Sequence, residues 1–279
     1  MLGRMKEDTL RLADGTLDYA AFGRGTRPLV IIPGLSLRDV KGAGAGLAWM
    51  YRRFAKDYRV YVLDKKSNIS AGYTVRDIAN DTADAMRQLG ISHACVLGVS
   101  LGGMVAQYLA IEYPDLVGCL VLGVTASRVN DTLSAVIDQW VSLAERDDFG
   151  SIVRGMTEIM YSAAYVKRYR WLFPLLEKLG TPKNKERFIH LAYACLTCDT
   201  YGSLDRIGCR TLILGGCEDK IVTGAASMEM AARIGCEIHM YEGLGHAAYE
   251  EARDFNQRIY DFFANVDGEN GWKNEVDDV

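Results

Sequence analysis

The sequence predicts an α/β fold with a mostly parallel central sheet, helices on both of its faces and an inserted helical cap. Three observations predict it. Short apolar runs rich in Val, Ile, Leu and Tyr alternate with stretches of helical spacing, the pattern of a sheet covered on both sides. The alternation breaks once, between Asn130 and Asp199, where the pattern is helical throughout. The 279 residues, 49% hydrophobic and 24% charged, suit one large core carrying an insertion.

The elements follow in order. Residues 9–12 and 16–21 flank the turn signal Ala13-Asp14-Gly15 and predict an antiparallel hairpin, so the sheet is mixed at one edge. Residues 28–32, 59–63, 94–97, 117–122, 211–214 and 237–241 read as buried strands. Helical spacing covers 74–89, 101–113, 224–234 and 248–263. Thr74 with Asp77 three residues on is a capping pair, and Pro114 closes the helix that begins at Leu101. In the insertion, Trp140, Met156, Met160, Tyr161, Tyr165, Trp171, Phe173 and Tyr193 supply large apolar surfaces. Its small-residue exits are Ala126-Ser127 and Gly202-Ser203. The sheet domain is therefore expected to comprise 1–127 and 203–279, with the cap at 128–202. The acidic end, 266–279, is expected to be a frayed tail, because from Asp267 five carboxylates face one lysine.

Composition excludes several function classes. A net charge of −4 without any run of four or more basic residues argues against a nucleic-acid partner. No apolar stretch follows Arg4 and Lys6, so neither a secretory signal nor a membrane span is expected, and the cytoplasm is the expected location. Seven scattered cysteines in a chain this large are expected as reduced thiols, and the sequons at Asn68 and Asn130 are set aside. The expected partner is a small-molecule substrate. A homo-oligomer is permitted but not indicated.

The most informative string is Gly98-Val99-Ser100-Leu101-Gly102, a G-x-S-x-G pattern that chance would produce roughly 0.1 times in a chain of this composition. An apolar strand enters Ser100 and an apolar helix leaves it, the setting of a nucleophile elbow. Such a turn strains the serine backbone by roughly 1–3 kcal/mol and tolerates only small neighbours. A hydroxyl needs a base, and the chain has four histidines. His93 precedes its strand, His190 lies in the insertion and His239 is inside a strand. His246 leaves the carboxyl end of the last strand in Gly243-Leu244-Gly245-His246, where ligand sites of open α/β sheets lie. For the carboxylate that orients the imidazole, Asp219 in Gly215-Gly216-Cys217-Glu218-Asp219-Lys220 is the choice, with Glu218 and Asp64 as competitors. The order Ser100, Asp219, His246 matches one described order for such triads. Expected oxyanion donors are the amide of Leu101, at a helix start, and that of Leu35, in Pro33-Gly34-Leu35-Ser36.

With these residues the sequence resembles the α/β-hydrolase fold family, in its capped group of esterases and carbon-carbon bond hydrolases, over roughly residues 16–263. Glu112-Tyr113-Pro114-Asp115-Leu116-Val117 and Gly216-Cys217-Glu218-Asp219 are similar to the family's segment after the nucleophile helix and to its acid loop. Two departures stand out: Pro33-Gly34 where many members carry His-Gly, and Lys65-Lys66-Ser67-Asn68 where an arginine-glycine pair is usual. Gly42-Ala43-Gly44-Ala45-Gly46 lacks the spacing of a phosphate loop and is expected as a mobile loop near the site mouth. Cys195 and Cys198 with His190 lack a second zinc-spaced pair and are read as apolar packing, so neither metal nor cofactor is expected. The expected activity is hydrolysis of a small or medium carboxylic ester through an acyl-enzyme. The alternatives are cleavage of a β-diketone or dienoate carbon-carbon bond by the same groups, or a non-catalytic ligand-binding member of the fold.

Overall fold

Side-chain alternation along the buried strands sorts the core into two layers. The computed structural model describes residues 5–269. The opening hairpin is β1 (Lys6–Leu12) and β2 (Gly15–Phe22), followed by β3 (Arg27–Ile32). After helix α1 (Gly44–Met50) come β4 (Tyr58–Lys66), α2 (Val75–Gln88), β5 (Ala94–Val99), α3 (Leu101–Glu112) and β6 (Val117–Gly123). The inserted helices are α4 (Asp131–Glu145), α5 (Phe149–Met160), α6 (Ala163–Tyr169), α7 (Phe173–Leu179) and α8 (Lys185–Cys195). The chain closes with β7 (Arg210–Gly216), α9 (Gly224–Ile234), β8 (Glu237–Tyr241), α10 (Ala248–Glu251) and α11 (Phe255–Glu269).

The eight strands form one sheet in the order β1-β2-β4-β3-β5-β6-β7-β8. The pairs β1–β2 and β2–β4 are antiparallel and the others parallel, so the mixed edge is the hairpin edge. Val30, Ile32, Val96, Leu120 and Leu122 point to one face, where α2, α3 and α9 pack. Leu29, Ile31, Cys95, Leu97 and Val121 point to the other, against α1 and α11. Alternate residues of one strand serve opposite layers because the side-chain period of a strand is two. The chain runs outward in both directions from β3 and β5, which makes the crevice beyond their carboxyl ends the switch point where open α/β sheets place ligands.

Four elements depart from the sequence reading. Strand β4 continues through Lys66, with Lys66 paired opposite Leu17, so Asp64 lies inside a strand. The glycine run opens α1, and the Gly44 amide donates to Glu7 Oε1 at 2.7 Å. A Cβ on residue 44 would lie 2.5 Å from that oxygen, so a larger residue there would displace the Glu7 side chain from the helix start. The segment 248–263 divides into α10 and α11, because Ala252 turns extended at ψ 116°. From there Phe255, Ile259, Phe262, Phe263 and Val266 follow helical spacing onto the sheet. Helix α11 reaches Glu269 with Val266 buried, past the expected start of the tail; residues 270–279 lie outside the described residues.

The inserted helices leave and rejoin the sheet through a narrow neck. Arg128 and Asp199 form an antiparallel bridge, and the Thr200 amide donates to Ser127 O at 2.7 Å. Asn130 caps α4 by accepting from the Leu133 amide at 2.9 Å, and its Nδ2 donates to Val222 O at 3.0 Å. That second bond ties the neck to the loop after β7.

Candidate active site

Ser100 joins β5 to α3 with φ 54° and ψ −122°, a conformation that costs a non-glycine residue on the order of 1–3 kcal/mol. The turn is possible because its neighbours lack side chains. A Cβ on Gly98 would lie 2.4 Å from Gly102 O, and one on Gly102 only 1.9 Å from Ile32 O. Two bonds hold the strained residue: its amide donates to Gly123 O at 2.9 Å, and the buried Thr125 Oγ1 donates to its carbonyl at 2.7 Å. Thr125 carries no motif in the sequence. Its part in the site is visible only where β6 runs beside β5.

The structure places Ser100 Oγ 2.9 Å from His246 Nε2, and His246 Nδ1 2.8 Å from Asp219 Oδ2. The remaining Asp219 oxygen, Oδ1, accepts from the amides of Ile221 and Val222 at 2.8 and 3.0 Å. Both Asp219 and His246 are buried. Burial raises the pKa of the Asp219 carboxyl, but the charge and hydrogen bond of His246, together with the two amides, outweigh it and hold the pKa below its ordinary value. An ionised Asp219 can only accept, so His246 donates from Nδ1 and leaves Nε2 to accept the serine proton. The histidine loop is fixed from both sides: the Glu218 amide donates to Leu244 O at 2.9 Å and the Ala247 amide to Met160 O at 2.9 Å.

The competing residues lie elsewhere. Glu218 is exposed. Asp64 is buried in β4, where its Oδ1 accepts from Arg187 Nη2 at 2.9 Å and its Oδ2 from the Val40 amide at 2.8 Å. Exposed His93 lies at the amino end of β5, His190 Nδ1 contacts Ile69 O at 3.1 Å, and His239 stands within β8. Cys195 and Cys198 direct their thiols at the carbonyls of Leu191 and Ala126. Burial pushes both thiols up to about 12. Among the described residues no cluster of three His, Cys, Asp or Glu could hold a metal ion, and no helix is long and apolar enough to cross a membrane.

Leu101 is the first residue of α3, so its amide has no acceptor within the helix. Gly34 lies against the elbow: a Cβ there would be 3.1 Å from Ser100 Cβ. Leu35, Ser100 and His246 line a cavity of about 40 Å³ together with Trp140, Met156 and Met160 of the insertion. A larger hollow of about 660 Å³ opens at the opposite, amino-terminal edge beside Thr26, Arg59 and His93, remote from Ser100.

Sequence reasoning missed the charged cluster beneath this site. Arg187 of α8 reaches across to β4, donating from Nε to Lys66 O at 3.0 Å and from Nη2 to Lys65 O at 2.7 Å as well as to Asp64. Lys65 is itself buried and bonded to the loop after β3. The departure at Lys65-Lys66 was the one visible signal of it.

Known proteins are similar to this chain along most of its length. The 3-oxoadipate enol-lactonase 2 of Acinetobacter baylyi is 24% identical over 275 residues, covering 91% of this chain and 95% of the lactonase. A 2-hydroxy-6-oxo-6-phenylhexa-2,4-dienoate hydrolase of Comamonas testosteroni is 26% identical over 275 residues, covering 90% and 92%. The crystal structure of the enol-lactonase from Burkholderia xenovorans LB400 superposes with a TM-score of 0.80 at 20% identity, covering 92% of this chain and all of that one, and so shares the fold. Residues 29–258, from β3 into α11, match the alpha/beta hydrolase family, and the chain belongs to that family.

Proposed function

We propose that the protein is a serine hydrolase that cleaves small carboxylic esters, with Ser100 as nucleophile, His246 as general base and acid, and Asp219 as the group that orients the imidazole. The observation that carries this reading is the continuous hydrogen-bonded path from Ser100 Oγ through both His246 nitrogens to Asp219. Ser100 Oγ attacks the ester carbonyl carbon while His246 Nε2 takes its proton. The developing oxyanion meets the amides of Leu101 and Leu35, each worth on the order of 3 kcal/mol of barrier lowering in such sites. Collapse expels the alcohol, which takes the proton from His246. Water then repeats the sequence on the acyl-enzyme and frees the acid and Ser100.

The helices of residues 128–202 act as a cap in this reading, with Trp140, Met156 and Met160 forming the wall opposite Ser100. The cavity beside Ser100 is small, about 40 Å³, which favours short acyl groups unless the cap shifts. The enol-lactone named for the Acinetobacter relative is itself an ester, which supports the substrate class. The dienoate hydrolase from Comamonas supports a second reading, cleavage of a carbon-carbon bond next to a carbonyl by the same groups.

Hydrolysis of p-nitrophenyl acetate and butyrate, paired with fluorophosphonate labelling, tests the proposal. The wild type should turn over the esters and be labelled at Ser100, and Ser100→Ala should lose roughly 10⁴-fold or more in kcat. Wild-type rates in Ser100→Ala would remove the proposal. Consumption of a 2-hydroxy-6-oxodienoate without ester turnover would replace it by the second reading.

A further inference from the structure

Lys65 is a buried amine that the acyl-transfer mechanism leaves unused. Its Nζ donates to Pro33 O at 2.5 Å and to Gly34 O at 2.9 Å, two successive carbonyls of the loop that faces the nucleophile. In a trans peptide the carbonyl and the following amide point in opposite directions, and the described chain has no cis bond. With both oxygens turned to Lys65, the amides of Gly34 and Leu35 are turned away from it. Gly34 touches Ser100, and Leu35 lines the cavity holding Ser100 and His246.

Resting on the acyl-transfer reading, we infer that Lys65 is a positioning residue whose ammonium clamps the Pro33 and Gly34 carbonyls and polarises the Gly34–Leu35 peptide, holding the Leu35 amide toward the oxyanion formed at Ser100. A cation on the carbonyl oxygen withdraws electron density through the amide and makes its N–H a stronger donor. A clamp of two bonds also removes the loop's freedom to turn that N–H aside before the transition state, when preorganisation counts.

The charged and titratable groups facing Lys65 are Asp64 beside it on β4, Arg187 and Cys195 on α8, and Arg38 and Asp39 on the loop after β3. Asp64 and Asp39 are both bonded to Arg187. Burial is the largest influence on Lys65; with Arg187 it outweighs the attraction of Asp64 and brings the amine down to about 8. The clamp is therefore charged at neutral pH and loses its charge in mildly alkaline solution.

The test compares the wild type with Lys65→Met and Lys65→Arg on p-nitrophenyl acetate from pH 6 to 10, with fluorophosphonate labelling and circular dichroism alongside. In the wild type kcat should fall above about pH 8 while KM holds. Lys65→Met should lower kcat about 10- to 100-fold with little change in KM and remove that alkaline limb. Lys65→Arg, which keeps its charge throughout, should recover part of kcat and shift the limb upward. Wild-type kcat in Lys65→Met, or an unchanged alkaline limb in it, overturns the inference. Should Lys65→Met not fold, a wild-type kcat that stays level to pH 9.5 overturns it and a limb near pH 8, moved in Lys65→Arg, supports it. A wild type neither labelled nor active on esters overturns the acyl-transfer reading and this inference with it, whereas an active wild type indifferent to Lys65 overturns the inference alone.

Discussion

Asp219 divides its carboxylate between two tasks: Oδ2 lies 2.8 Å from His246 Nδ1, while Oδ1 accepts the amides of Ile221 and Val222. The amides fix the carboxylate plane, so the imidazole is aimed by the backbone after β7 as much as by the acid. Asp219→Asn should keep the fold and lower kcat by roughly 10³–10⁴, because an amide nitrogen facing Nδ1 favours the wrong tautomer. Exposed Glu218, one residue away, should be replaceable by Gln with little effect on ester turnover. The pKa of Asp219 is held below its ordinary value, so the loss of activity of the wild type in weak acid should not follow this carboxyl. Steady-state kinetics of both variants across pH check this pair of outcomes.

Strain at Ser100 predicts an inverted glycine effect. Elsewhere, glycine in place of alanine costs about 0.5–1 kcal/mol through the unfolded chain. At φ 54° the alanine keeps the backbone strain of roughly 1–3 kcal/mol, and glycine releases it. Ser100→Gly should therefore melt above Ser100→Ala, although both are inactive. Urea or thermal unfolding of the two variants decides it, and the reverse order would mean that Gly123 and Thr125 hold the turn without strain.

Trp140 and Met160 close the cavity against Ser100 from the inserted helices. Truncating either should widen the space for an acyl chain, so Trp140→Ala should shift the preference among p-nitrophenyl esters from acetate toward hexanoate or longer. Kcat/KM ratios across chain lengths give the measurement. Buried Trp140 also packs the insertion, so a loss of roughly 3–5 kcal/mol in stability accompanies the change.

The reach of the sequence follows from which signals are local. The elbow was legible because strand, glycines and helix adjoin Ser100 in the chain, and His246 and Asp219 because each leaves the carboxyl end of a strand marked by its own apolar run. The break at Ala252 carries neither Gly nor Pro and arises from how α11 meets the sheet, so periodicity ran through it. The glycines at 42–46 suggested a loop, since nothing near them in the chain reveals that Glu7 holds the Gly44 amide. Lys65 bonds to residues 31 and 32 positions away, and Arg187 to partners more than 120 away. A charge on such a partner is indistinguishable in the chain from one on a solvated surface.

Lys65 also makes a stability prediction independent of activity. Its folded value near 8 lies below the ordinary 10.5, so between these limits the unfolded chain binds more protons and folding becomes more favourable as pH rises. Over the whole window the gain is about 3 kcal/mol. Urea unfolding of wild type and Lys65→Met at several pH values should show the difference between them moving toward the wild type from pH 8 to 10.5. A constant difference would mean that the folded amine keeps its ordinary pKa and its charge across this range.

Arg187 holds the inserted helices to the sheet through one guanidinium. It donates to Lys66 O, Lys65 O and the carboxylates of Asp64 and Asp39, with the Arg187 and Asp64 side chains only 11% and 9% exposed. Removing it takes away the guanidinium paired with buried Asp64 and leaves that carboxylate the amides of Val40 and Lys65 and the attraction of the Lys65 ammonium. Arg187→Ala should cost about 3–5 kcal/mol, the penalty of stranding a buried partner, and speed hydrogen exchange in α8. Arg187→Lys should recover little, because one ammonium cannot reach four acceptors spread across a planar fork. The exposed pair Arg76–Glu112 is the control: Arg76→Ala should cost under about 1 kcal/mol. Asp64→Asn placed on the Arg187→Ala background should return part of the loss, since the carboxylate that lost its guanidinium partner is then gone. Denaturant unfolding of the single and double variants gives the coupling directly, and additive costs would show that Arg187 acts through its backbone acceptors alone.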